Sequence, residues 1–216
     1  MAKLRVHNYG CSLDGYAAGP NQSLETPLGE GGEALHEWVF ETAAGRAMFG
    51  GEGRGGSEGA ENDIFKRGFE NVGSWILGRN MFTASRGDWP DDGWQGWWGD
   101  EPPYHCDTYV LTHYKRDPIE MKGGTTFFFV TDGIESALEQ AFASAKGQDV
   151  RVGGGASTVQ QYLNAGLIDE MHITVAPVML GAGERLFENV GALEGYDLEY
   201  TPFEKAAHYR FVRSTR

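Results

Sequence analysis

Three glycines followed by two small residues, Gly153-Gly154-Gly155-Ala156-Ser157, interrupt the stretch DVRVGGGASTVQQYL at residues 149–163. Glycine lacks a Cβ, so successive backbone N–H groups there can close on a phosphate oxygen, and a helix starting beside them adds its positive dipole end. The same residues would also make a tight strand-to-helix turn, and their spacing is not the G-x-G-x-x-G of a dinucleotide-binding unit. Three other places carry chemistry. In ILGRNMF, Gly78 closes an apolar run and Arg79 stands where a guanidinium can meet a pyrophosphate oxygen, or simply lie on the surface. In YVLTHYKR, Thr112, His113, Lys115 and Arg116 form a basic cluster suited to a ribose 2′-phosphate or to a solvated loop. In SLDGY, Asp14 is either a functional carboxylate or the turn residue before Gly15.

Each motif needs an element to hold it. The β-prone runs LRVHNYG, GSWILG, TYVLTH, TTFFFV, DVRV and DEMHITVAPVML predict strands, most of them closing just before one of these motifs. GGEALHEWVFETAAG predicts a helix with Leu35, Trp38, Val39 and Thr42 on one face and Gly45 as its stop. ENDIFKRGFENV predicts a short second helix carrying Ile64, Phe65 and Phe69. TDGIESALEQAFASAKG predicts a third, opened by an Asp132/Glu135 capping box and buried along Ile134, Leu138, Ala141, Phe142 and Ala145. A fourth follows the glycines, with Val159, Tyr162 and Leu163 inward. GYDLEYTPFEKAAHYRFVRS predicts a closing pair of strands.

Strands alternating with helices imply one α/β domain over residues 1–216: a mostly parallel sheet covered on both faces, with an antiparallel C-terminal edge. Two insertions interrupt it. One, near 45–60, is glycine-rich and expected to be mobile. The other, near 86–106, holds Trp89, Trp94, Trp97 and Trp98. These read as an aromatic wall for a flat heterocycle, as packing on the sheet edge or a partner subunit, or as a sugar platform.

Composition limits the partners. With 31 acidic and 18 basic residues the chain carries a formal charge of −13, which repels nucleic acid and anionic membranes. An anionic cofactor must therefore rely on local cations and backbone amides. The two cysteines, Cys11 and Cys106, have no metal-ligand spacing, so no metal is expected. No signal-peptide pattern or membrane-length apolar run occurs, and a cytoplasmic setting is the expectation.

Taken in order, SLDGY (12–16), ILGRNMF (76–82), YVLTH (109–113), FVTDGIESAL (129–138), VRVGGGASTVQQYLNAGLIDEMHI (150–173) and PVMLGAGERLF (177–187) resemble the dihydrofolate-reductase-like superfamily. They are most similar to the reductase domain of the bifunctional riboflavin-biosynthesis deaminase/reductase and its stand-alone relatives. That resemblance implies an NADPH-dependent reductase, a homodimer, and hydride transfer to a pyrimidine- or pterin-like heterocycle. It implies that Gly153 to Ser157 cradle the pyrophosphate, with Gly78, Arg79 and Asn80 beside them. Thr112 and His113 would approach the adenosine 2′-phosphate, and Leu180-Gly181-Ala182-Gly183 would shape the far end. Gly153 stands where the riboflavin reductases carry Glu, while Asp14 matches their SLDG motif. Asp14, and then Glu37 on the first helix, are the candidate substrate- or proton-handling carboxylates. The deaminase zinc signature is absent from the chain. A non-catalytic ligand-binding module on the same fold is the alternative.

Overall fold

A computed structural model describes residues 1–49, 55–90, 92–191 and 193–214. Six strands run parallel and build the centre of the molecule: β1 (Leu4–Ser12), β3 (Val72–Gly78), β4 (Asp107–Leu111), β6 (Thr126–Val130), β7 (Asp149–Gly154) and β8 (Glu170–Ala176). A two-residue strand, β5 (Ile119–Glu120), caps one edge. A hairpin of β10 (Tyr196–Pro202) and β11 (Ala207–Arg213) caps the other, antiparallel as expected. The order across the sheet is β10-β11-β8-β1-β7-β3-β4-β6-β5, and β2 (Tyr16–Ala18) pairs separately with β9 (Glu184–Arg185). The sequence showed no sign of β5 or β9, each too short to have a period.

Alternation along β7 sorts the two faces. Val150 and Val152 point to a core shared with α5 (Ile134–Ser144) and α6 (Ala156–Asn164). Ala137 and Ala141 let α5 lie close to the sheet, while Val159 and Tyr162 fill the space under α6. Each fully buried Val or Leu there contributes about 1.5–3 kcal/mol. Arg151, between the two valines, points the other way. It donates to the Gly68 and His7 carbonyls at 2.7 and 2.8 Å under α3 (Ala60–Arg67), its guanidinium flanked by Phe69 and Trp75. A polar layer continues on that face. His7 shares Glu170 with Arg210, both at 2.9 Å. The Asn8 N–H donates to His172 Nδ1, so His172 presents Nε2–H to His208 Nδ1 at 3.0 Å, and His208 in turn faces Glu61 at 3.2 Å.

Three local expectations are corrected. The first helix does not stop at Gly45. A 3-10 turn at Gly32–His36 leads into α1 (Glu37–Glu41), Thr42 breaks it in extended geometry, and α2 (Ala43–Met48) runs through Gly45. Thr42 Oγ1 donates to the Val39 carbonyl and accepts the Gly45 N–H, and a Cβ on Gly45 would stand 2.1 Å from that carbonyl oxygen. The glycine is there for close approach, not termination. The Asp132/Glu135 capping box does not form, because Gly133, at φ 95°, takes the N-cap position and leaves Asp132 outside the helix. The glycine-rich insertion is ordered at both ends, through α2 and the Ser57–Thr42 bridge. The expectation of mobility at residues 50–54 lies outside the described residues.

Candidate functional site

Because the six central strands are parallel, their carboxyl ends line one edge of the sheet, where ligands of open α/β sheets gather. Ser12 pairs with Ala176, Leu77 with Gly154, Gly78 with Leu111 and Leu111 with Val130, so Asp14, Arg79, Asn80, Thr112, His113 and Gly153–Ser157 all follow from that edge. Glu37 does not. It is exposed at the start of α1.

Gly78 and the glycine loop are fitted to each other. A Cβ on Gly78 would lie 2.3 Å from Thr158 Oγ1 and 3.2 Å from Gly155 N, so only glycine lets β3 end against the start of α6. Gly153 is walled by Leu77 and Met81, and Gly154, at φ 136° and joined to Gly155 by a cis peptide, lies against the Tyr9 ring. Gly155 differs: nothing stands within 4 Å of where its Cβ would be. It is the N-cap of the nine-residue α6 and no side chain caps it. The Thr158 and Val159 N–H groups donate to the Gly155 carbonyl, which leaves the Ala156 and Ser157 N–H groups without an intrahelical acceptor. Ser157 is exposed and Ala156 is buried.

Arg79 begins α4 (Arg79–Phe82) directly after Gly78. Its Nε, Nη1 and Nη2 are all buried without a hydrogen-bond partner among the described residues. Its guanidinium lies 4.0 Å from the Trp89 ring centroid and 4.9 Å from that of Tyr114, and this burial pulls its pKa down. Asn80 and His113 are exposed. Thr112 is buried: its N–H donates to the Val130 carbonyl and its hydroxyl accepts the Tyr114 N–H, which shapes the loop carrying Tyr114.

Asp14 is a brace. Its carboxylate accepts from Ser12 Oγ at 2.6 Å, from Leu180 N at 3.1 Å and from Gly181 N at 2.7 Å, tying the predicted Leu180–Gly183 turn to the end of β1. The Ser12 hydroxyl, then the two backbone N–H groups, hold its pKa down at about 2. Such a group is ionised at neutral pH and has no proton to give.

The tryptophan-rich insertion packs on the β4/β6 side of the sheet. Trp89 and Trp94 lie against the cluster of Phe82 and Phe129, and Trp94 Nε1 donates to the Phe82 carbonyl. Trp98 bonds Tyr104 and meets Phe49. Trp89 reaches Arg79 and Arg116 with its ring, and Trp94 reaches Arg116 through its carbonyl. The grouping of Trp89 with Arg79, Tyr114 and Arg116 was not visible in the sequence, because the members come from three separate segments. Met81 and Tyr9, which wall the glycines, gave no signal beyond the apolar pattern. Both cysteines are free thiols, and among the described residues no helix is long and apolar enough to cross a membrane.

A family model described as the RibD C-terminal domain matches residues 5–213. The uncharacterized protein YyaP of Bacillus subtilis (strain 168) is 39% identical over 97 residues, 42% of this chain and 50% of that protein. The chain spans about half the length of the curated relatives it matches. Among solved structures, a Shewanella sp. PV-4 protein provisionally assigned to riboflavin biosynthesis superposes with TM-score 0.57 at 20% identity over 100% of both chains. Dihydrofolate reductase from Enterococcus faecalis, complexed with NADP(H) and RAB-propyl, superposes with TM-score 0.53 at 13% identity, covering 99% of this chain and 97% of that one. These likenesses establish the dihydrofolate-reductase-like fold.

Proposed function

Because this chain belongs to the RibD C-terminal domain family, we propose that it is a reductase that binds NADPH along the carboxyl edge of its sheet and reduces a pyrimidine- or pterin-like heterocycle. The observation that carries this reading is the Arg79 guanidinium, whose three nitrogens are buried without a hydrogen-bond partner among the described residues, on the residue that follows Gly78, itself fitted against the glycine loop. Guanidinium nitrogens buried without hydrogen bonds are costly even with the Asp88 charge acting on them, and pyrophosphate oxygens would supply the acceptors they lack. Gly153 to Ser157 would hold the pyrophosphate through N–H groups, with Gly78 keeping the loop in place. Asn80, Thr112 and His113 border the adenosine side. NADPH, when bound, supplies the hydride.

The protein's own part is to orient and to hold charge. Asp14 uses three of about four lone-pair positions on its carboxylate for Ser12, Leu180 and Gly181. One remains for a substrate N–H, so Asp14 orients the heterocycle and steadies the turn above it. Glu37 lies in solvent and would act on a substrate proton only through water. A homodimer belongs to the same reading, with the β10 edge as its contact. Leu198 and Tyr200, each 55% exposed, project from one face of that strand.

A titration of the protein with NADPH, NADH, FMN and FAD, followed by tryptophan fluorescence, tests the reading. Saturable NADPH binding, lost in an Arg79→Ala, Gly154→Val double variant, is the expected result. If no dinucleotide binds, the reading fails. Tight NADPH binding with no oxidation against a panel of heterocycles would instead favour the binding-module alternative.

A further inference from the structure

Tyr9 reaches the glycine loop because β1 carries an extra residue. Between the Val6–Met171 and Tyr9–Ile173 pairs, β1 has His7 and Asn8 where β8 has His172 alone. Asn8 absorbs the insertion at φ 53°, a left-handed conformation that asparagine tolerates better than most side chains. His7 and Asn8 both turn to the α3 face, where Asn8 Nδ2 donates to the Phe65 carbonyl at 2.9 Å and His7 meets Glu170. Val6 and Tyr9, three apart, therefore share the α5/α6 face, which plain alternation would deny them. Bulges beside functional sites re-aim side chains in this way.

The side chain so aimed is 9% exposed and ends at the site. A Cβ on Gly154 would lie 3.0 Å from Tyr9 Cε2 and 3.6 Å from the hydroxyl oxygen, and Met81 of α4 lies against the same point. The hydroxyls of Tyr162 and Tyr196 donate to the Ile134 and Ile168 carbonyls at 2.8 and 2.6 Å. That of Tyr9 makes no hydrogen bond among the described residues and is not sealed from solvent. Burial raises its pKa, with the charges of Cys11 and Glu184 adding to the effect, so the oxygen keeps its proton at neutral pH and donates rather than abstracts. Neither candidate carboxylate offers this. Asp14 is ionised and committed to Ser12, Leu180 and Gly181, and Glu37 lies in solvent.

We propose that Tyr9 is a catalytic residue whose hydroxyl meets the heterocycle beside the glycine loop and gives the proton that completes its reduction. The assignment rests on the reductase reading above and deepens it, since it names a substrate with a C=N bond and the donor to its nitrogen. The substrate carbon takes the hydride that NADPH supplies, the π electron pair moves to the nitrogen, and the nitrogen takes the Tyr9 proton. Solvent returns a proton to the phenolate, and NADP+ is left as the oxidised product.

Wild type and Tyr9→Phe, compared with dihydrofolate and a ribosylaminouracil as probes, test it. Phenylalanine keeps the ring, so the melting temperature and the NADPH affinity should stay as in wild type. On whichever probe wild type reduces, kcat should fall at least roughly hundredfold. Binding of that probe to the NADP+-loaded protein, where no hydride can pass, should weaken roughly fivefold for the lost hydrogen bond. Turnover equal to wild type would overturn the assignment and leave the reductase reading standing. Weaker NADPH binding in Tyr9→Phe would give the hydroxyl to the cofactor and overturn it too, as would a wild type that binds NADPH but reduces neither probe. A wild type that binds no NADPH would overturn both.

Discussion

Gly78 and Gly155 touch each other yet answer to different demands. At Gly78 a methyl group would meet Thr158 Oγ1 at 2.3 Å, so Gly78→Ala must push β3 and α6 apart. Overpacking of this kind costs on the order of 1–3 kcal/mol, and the variant should melt lower and bind dinucleotide less well. At Gly155 a methyl group meets nothing within 4 Å, and the backbone, at φ −78°, suits any residue. Gly155→Ala should therefore keep its stability within about 0.5 kcal/mol, while the methyl stands where a phosphate would approach and lowers NADPH affinity roughly tenfold. Parallel thermal melts and titrations separate the two signatures. Equal binding by Gly155→Ala and wild type would remove the phosphate from this loop. The glycine run itself was legible, as were Arg79 and Thr112 at strand ends. The Arg79 guanidinium's lack of a hydrogen-bond partner among the described residues was not, since that depends on where the fold places acceptors from distant segments.

At the scale of elements, the layer between α3 and strands β1, β8 and β11 makes the fold sensitive to acid. Burial lowers the pKa of His7 from its ordinary 6.5 to about 4, against the opposing pull of Glu170, and burial also lowers His172 and His208. Burial pulls Glu170 up, but hydrogen bonds from His7 and Arg210 outweigh it and hold the carboxyl below its ordinary range. Below pH 6.5 an unfolded chain takes up a proton that folded His7 refuses until about pH 4. Stability is thus present above 6.5 and lost as pH falls through that window. His7, with a side chain 2% exposed, accounts for about 3 kcal/mol of it. Urea unfolding at pH 7.5 and 5.0 should show a lower midpoint in acid, and His7→Gln should flatten the difference. A profile already flat in wild type would refute this. Long elements were readable because apolar periods survive over many residues, as in α5 and β7. The histidine layer was not, because His7, His172 and His208 come from three strands whose adjacency is set by sheet order.

At the scale of the molecule, both faces of the central sheet are covered, but among the described residues no strand pairs with the outer edge of β10. Light scattering should give a dimer mass that Tyr200→Glu halves, and a wild-type monomer would remove the β10 contact. The same sheet order has a consequence in time. The first strand made, β1, lies between β7 and β8, and the bonds from Lys3 N to Asp149 and from Leu4 N to Asp169 span 146 and 165 residues. Loops that long must close before the centre of the sheet exists, which makes folding slow and late. A chain emerging from a ribosome holds this central strand unpaired until its last third is synthesised, and the glycine loop, at the junction of β7 and α6, is completed only then.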